Sequence, residues 1–134
     1  MTRSEATKIL AVLAAAYPNS TAIKKASPTE AEGIVSVWVM QFANMPADIV
    51  FMAVNKHISK VNYFPTISEI KEKITSVHWD AYSKISSNTS KFLSAASLEE
   101  YKRIYEATKE YKMGIYEPSL DEMMITSSKQ FLIE

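Results

Sequence analysis

The sequence predicts an all-α protein, with a small helical domain of about four to five helices and a flexible or partner-docked C-terminal segment. Three observations support this fold class. Apolar residues recur at helical spacing along most of the 134 residues, and no useful length of chain alternates with the period of a strand. Hydroxyl residues precede several of these runs, each with a glutamate three positions later, which is the spacing of a capping box. Prolines stand in the gaps between the runs.

The first predicted helix runs from about residue 3 to Tyr17. Thr2 and Glu5 have capping-box spacing at its start, so the hydroxyl can accept one orphan backbone N–H and the carboxylate another. Pro18 follows Tyr17 and stops the helix, because proline clashes with the preceding turn.

The second predicted helix runs over about residues 28–43, after Ser27 as its N-cap with Glu30 in the capping position. A proline at the first helical position loses no hydrogen bond, which strengthens this start. Gly33 lies inside the helix and costs about 1 kcal/mol relative to alanine. We therefore expect a close helix crossing at Gly33.

The third and fourth predicted helices flank a proline break. The third covers about residues 46–60, and Phe64-Pro65 ends the unit because proline restricts the residue before it. The fourth begins after Thr66, which has Glu69 three positions later, and presents a helical apolar face that continues toward Tyr82. The polar stretch over residues 83–94 indicates a loop or a weak helix.

The fifth predicted helix runs over about residues 98–113, with Ser97 and Glu100 as its capping pair and Gly114 as its C-terminal residue. It carries an aromatic stripe that forms either core or an exposed docking face, with core favoured because such stripes are usually buried. The tyrosines in and near it are Tyr101, Tyr105, Tyr111 and Tyr116.

Composition excludes several kinds of active site. The chain has no cysteine, which removes thiolate metal sites and cysteine nucleophiles. Its two glycines are too few for a phosphate-binding loop. Of its two histidines, His57 on an apolar stripe and His78 beside Trp79 are interpreted as structural residues, since neither has a partner at metal-ligand spacing. We therefore expect no catalytic residue, metal or cofactor, and no enzyme.

The zero net charge of the whole chain hides an uneven distribution. Residues 1–96 carry 10 Lys/Arg against 7 Asp/Glu, whereas residues 115–134 carry one lysine against four acids. We predict a helical N-terminal domain over residues 1–96 and a C-terminal helix with an acidic tail over 97–134. The tail either docks into a partner's groove or packs back on its own domain. Its candidate binding residues are Tyr116, Leu120, Asp121, Glu122, Met123, Met124, Phe131 and Leu132.

The lysines of the body leave a DNA-binding or transcription-regulatory protein as the alternative function. The candidate patch comprises Lys24, Lys25, Lys56, Lys60, Lys71 and Lys73. With only two arginines in the chain, the patch is poorly equipped to read bases, so direct nucleic-acid binding is expected to be weak or absent. The absence of a signal peptide or of an apolar segment of about 18 residues predicts an intracellular protein without membrane contact.

Three segments resemble the phage replicative helicase loader and inhibitor family. They are the run AAAYP at residues 14–18, the capped helix EAEGIVSVW at residues 30–38, and NYFPTISEIK at residues 62–71, which is the most specific. The resemblance covers about residues 3–77; many relatives have a second proline where this chain has Thr66. The residues that carry the motif are Tyr17, Trp38, Phe64, Pro65, Ile67, Glu69 and Ile70.

The resemblance implies a small, non-catalytic DNA-replication protein of the bacterial host cytoplasm. Such proteins bind the hexameric DnaB-type helicase, inhibit its ATPase and unwinding, and load it at an origin through an origin-binding protein. In this family the C-terminal region contacts the helicase, which points to residues 115–134 of this chain.

Overall fold

The structure is a computed structural model that describes residues 1–86 and 93–111, and every regular element in these residues is helical. The predicted all-α class is therefore confirmed. The elements in chain order are α1 (Arg3–Ala16), α2 (Pro28–Gln41), α3 (Ala47–Lys60), α4 (Ile67–Ser86), α5 (Ala95–Thr108) and a 3₁₀ turn at Lys109–Tyr111. No helix among the described residues is long and apolar enough to cross a membrane.

The chain forms two compact units that divide within α4. The first unit covers Met1–Ile74, and the second begins at Thr75. The domain boundary predicted between residues 96 and 97 stays a prediction, because residues 87–92 and 112–134 lie outside the described part of the chain.

The first two predicted N-caps are confirmed. The Thr2 hydroxyl accepts the Glu5 N–H at 3.1 Å, and the Thr2 N–H donates to the Glu5 carboxylate at 2.9 Å. Ser27 accepts the Glu30 N–H at 3.2 Å at the start of α2. Each cap satisfies backbone N–H groups that the helix itself leaves without a partner.

The predicted start of α5 is wrong by three residues. The helix begins at Ala95, and the Ser94 hydroxyl accepts the Ser97 N–H at 3.1 Å. Ser94 takes precedence over Ser97 as the cap because the two alanines after it are the best helix formers and extend the helix upstream. Glu100 instead accepts a hydrogen bond from Arg103 at 3.2 Å, which lowers its pKa.

The two ends predicted around residues 83–114 have different outcomes. Residues 83–86, where a loop or a weak helix was left open, belong to α4. The predicted C-terminal end of α5 near Met113 and its cap Gly114 lie outside the described residues.

The first unit is organised around α1, which packs against both α2 and α3. The most deeply buried positions follow the helical apolar stripes of the sequence, and Met45, in the connection between α2 and α3, joins them at 1% exposure. The core side chains of this unit are Ala6, Ile9, Leu10, Leu13, Tyr17, Trp38, Phe42, Met45, Ile49, Val50, Ala53, Val54, His57, Ile70 and Ile74.

The close helix crossing predicted at Gly33 is wrong. A Cβ built at this position meets no described atom within 4 Å, so no neighbouring helix accounts for the glycine. The same side of α2 exposes Val37 and Met40, at 42% and 67%. The buried part of α2 is limited to Trp38, with Phe42 at its C-cap, because the exposed and buried faces share apolar residues.

The second unit buries a polar pair between α4 and α5. The Thr108 hydroxyl donates to the Ile104 carbonyl at 2.6 Å, so its oxygen is left to accept from Nδ1 of His78 at 2.8 Å. The Tyr105 ring stacks on the His78 ring at 5.0 Å. These contacts confirm His78 as a structural residue, and the buried Tyr105 confirms the core interpretation for its part of the aromatic stripe.

Candidate functional site

The predicted candidate site has two parts, and the structure describes only one of them. The eight candidate binding residues of the tail fall within residues 112–134, outside the described residues, so their role stays a prediction. The motif residues lie in the first unit. Most of them meet at the connection between α3 and α4, which we call the α3–α4 junction (residues 61–70).

The α3–α4 junction is held by the carboxylate of Glu69. One of its oxygens accepts the Thr66 N–H at 2.9 Å, while the Glu69 N–H donates to the Thr66 hydroxyl at 3.2 Å. Its other oxygen accepts the Tyr63 O–H at 2.8 Å. The capping box predicted at Thr66 is therefore confirmed, and it is extended by a tyrosine that ties the connection to the first turn of α4.

Two further hydrogen bonds fix the backbone of the junction. The Tyr17 hydroxyl donates to the Val61 carbonyl at 2.8 Å, which links the end of α1 to the end of α3. Nε2 of the fully buried His57 lies 2.9 Å from the Tyr63 carbonyl, an acceptor that requires the proton on Nε2. The Tyr17 ring meets the rings of His57 and Phe64 edge-on, at centroid distances of 6.1 and 6.2 Å.

His57 is a structural residue, as predicted, although only one of its ring nitrogens is satisfied. Nδ1 is buried without a hydrogen-bond partner. Among the described residues no group of three histidines or acids is placed to hold a metal ion. The arrangement therefore holds backbone in place and supplies no described metal ligand set.

The same contacts shift three pKa values in directions that agree with one another. The backbone hydrogen bond from Thr66, followed by the Tyr63 hydroxyl, lowers the pKa of Glu69. The hydrogen bond to Glu69 raises the pKa of Tyr63, because the phenol must keep its proton to donate. Burial, with a smaller contribution from the charge of Glu69, raises the pKa of Tyr17.

The lowered pKa of Glu69 predicts acid-sensitive stability. Its ordinary value is 4.5, so the folded protein binds fewer protons than the unfolded chain near that pH. The stabilisation is present above pH 4.5 and is lost as the pH falls through the lower folded-state value. We expect the Glu69→Gln variant to lose less stability than the parent between neutral and acid pH. Urea unfolding at a series of pH values measures this difference, with Glu72→Gln as the control; equal pH dependence in all three proteins would contradict the assignment.

An open cleft of about 570 Å³ adjoins the junction. Its walls come from the end of α1, the loop that follows it and residues 62–64. Its lining side chains offer aromatic, amide and hydroxyl groups, and none of the lining residues is a carboxylate, a histidine or a lysine. Such groups bind by stacking and hydrogen bonds, which suits contact with a partner. Of the lysines predicted to form a patch, Lys24 donates to the Pro18 carbonyl at 2.7 Å and Lys71 to the Gln41 side chain at 2.7 Å.

The structure separates one motif residue from the others and adds one that the sequence did not single out. Trp38 lies on α2 against Phe42, with ring centroids 5.4 Å apart, and takes no part in the junction. Tyr63 is 56% exposed yet connects His57 to Glu69. No periodicity or spacing could have identified it, since its contacts depend on a carbonyl and on the turn that Pro65 imposes.

Residues 1–71 match the family model for the N-terminal domain of the phage gene 39 protein. The match covers more than half of the chain and includes the whole α3–α4 junction. The chain belongs to this family of phage helicase loaders and inhibitors. The resemblance predicted from the sequence is therefore confirmed. Neither a curated protein nor a solved structure matches the chain.

Proposed function

We propose that this protein is a non-catalytic DNA-replication factor that binds the hexameric DnaB-type replicative helicase, inhibits its ATPase and unwinding, and loads it at an origin. The observation that carries the proposal is the membership of residues 1–71 in the phage helicase loader family. An origin-binding protein is the second partner, and the bacterial cytoplasm is where these partners meet.

The proposed division of labour gives the helicase contact to residues 115–134. This tail combines a net charge of −3 with large apolar side chains, which a linker that remained in water would not need. The folded first unit then serves as a rigid body, since the Tyr17 and His57 hydrogen bonds join α1, α3 and the junction. The alternative, in which the tail packs on its own domain, is an outcome of the test below.

Inhibition then follows from mass action and needs no active site. A ligand that binds one conformation of the helicase more tightly than the others shifts the population toward it. An ATPase cycle requires every subunit to pass through several conformations, so stabilising one of them slows turnover. The degree of inhibition is set by the difference in affinity between conformations and not by affinity alone.

The test compares the full chain with a variant that ends at Gly114. We expect the full chain to co-purify with the helicase of its host and to lower its ATPase rate, and the truncated chain to do neither. Far-ultraviolet circular dichroism of both proteins shows whether the helices remain. Equal binding by the two chains would move the helicase contact to the folded body. Failure of both to bind would contradict the proposed function itself.

A further inference from the structure

The surface of α2 that faces away from the core has an unusual composition. At 100° per residue, Thr29, Gly33, Val37 and Met40 lie within an arc of about 80° on one side of the helix. All four are exposed, and none is charged. We call these residues the Gly33 face.

The Gly33 face has no explanation within the fold of the chain. A glycine inside a helix costs about 1 kcal/mol relative to alanine, and here a Cβ would meet nothing within 4 Å. Met40 is the most exposed large apolar side chain of the described residues, at 67%. An open position beside protruding apolar groups is what the approach of a second helix requires.

We propose that the Gly33 face is an interface between two copies of this chain, in which two α2 helices pair antiparallel about a twofold axis. The inference rests on the geometry and charges of α2 and does not depend on helicase binding. A twofold interface brings the same surface of both copies together, so its charges must complement themselves.

The charges along one flank of α2 satisfy that requirement. Glu30 and Gln41 are eleven residues apart, which places them about 20° from each other around the helix and about 16 Å apart along it. Lys71 donates to the Gln41 side chain at 2.7 Å, so this flank is acidic at its N-terminal end and basic at its C-terminal end. Antiparallel pairing places Glu30 of each copy against Lys71 of the other.

The opposite flank raises no repulsion in this arrangement. Glu32 lies 3.7 Å from Arg3 of its own chain, and Arg3 also donates to Ser36 at 2.8 Å. That flank is therefore close to neutral. A parallel twofold pair would instead bring Glu30 of one copy beside Glu32 of the other, which is unfavourable.

The register set by the charges also fits the shape of the surface. If Glu30 lies opposite Gln41, each residue faces the one whose number makes the same sum. Gly33 then lies within one residue of Val37 of the other copy. The open space at each glycine receives a protruding valine, which is how a large side chain and a small one interlock at a helix crossing. Two independent features, charge and shape, thus select nearly the same register.

The acidic tail of the chain is a less suitable occupant. Residues 115–134 carry a net charge of −3, and both flanks of the N-terminal half of α2 carry a glutamate. Like charges disfavour that pairing, whereas a second copy brings its own lysine. One helix pair is a small interface, so we expect a weak dimer with a dissociation constant of about 10–100 μM.

The decisive experiment is a charge exchange followed by sedimentation velocity of the full chain over a range of concentrations. Glu30→Lys and Lys71→Glu each place like charges opposite each other, and we expect each to weaken association about tenfold. The double variant restores the opposite-charge pairs and should associate as the parent does. A mixture of the two single variants should form a mixed dimer in preference to either homodimer.

Two further variants separate the interface from folding. Gly33→Leu should raise the thermal midpoint of the dilute protein, because the helix gains a better helix former, and should weaken association about tenfold by filling the gap. Met40→Glu should weaken association to a similar degree, while Phe51→Glu, at a 39% exposed position on α3, serves as the matched control and should not.

Several results would overturn the proposal. A parent chain that remains monomeric throughout the range, or a double charge variant that associates no better than the single ones, would exclude the antiparallel dimer. A synthetic peptide of residues 115–134 that competes with association, and loses its effect on Met40→Glu, would assign the face to the chain's own tail.

Discussion

Replacing Phe42 with alanine is expected to lower the free energy of unfolding of the first unit by about 3–5 kcal/mol. Phe42 heads the largest fully buried side chains and is 1% exposed, with its ring 5.4 Å from that of Trp38. Truncation removes the transfer free energy of the ring and leaves a cavity that the surrounding helices fill only in part. A small domain has a total stability of about 5–15 kcal/mol, so this variant would be close to unfolding.

The measurement uses the distribution of the two tryptophans. Trp38 lies in the first unit and Trp79 in the second, so in a Trp79→Phe background the fluorescence reports on the first unit alone. Phe51→Ala is the matched control, since its ring is 39% exposed and its removal should cost less than about 1 kcal/mol. Similar losses for both variants in urea unfolding would mean that α2 does not anchor the core.

The features that the sequence predicted well are local ones. The boundaries of α1 to α3 and the caps at Thr2, Ser27 and Thr66 depend on residues within one helical turn of each other. The start of α5 shows the limit of this reasoning. Ser94 and Ser97 both satisfy a local rule, and the choice between them depends on how far the upstream alanines extend the helix.

The features that the sequence could not predict join distant parts of the chain. Tyr17 donates to a carbonyl 44 residues away, and His78 bonds to Thr108, 30 residues away. Neither partner is distinguished by residue type, because a carbonyl is present at every position and threonines are common. The glycine in α2 was misinterpreted for a related reason, since a helical glycine indicates that something approaches but not whether it belongs to the same chain.

The tail has the largest expected effect on function. We expect a chain with Met123, Met124, Phe131 and Leu132 all replaced by serine to bind the helicase at least about a hundredfold more weakly than the parent. Burying one such side chain contributes about 1.5–3 kcal/mol, and a hundredfold loss needs only about 2.7 kcal/mol, so two buried side chains of the four are sufficient. Titration of labelled protein with the helicase measures the dissociation constants.

A second tail variant, Asp121→Asn with Glu122→Gln, distinguishes apolar docking from charge steering. If apolar contacts carry the affinity, removing these charges should change it less than about tenfold and should act mainly on the association rate and its salt dependence. Fluorescence of Trp38 during unfolding provides the internal control. A serine variant that binds normally but destabilises the first unit would show that the tail packs on its own body, and the helicase contact would then lie on the folded residues.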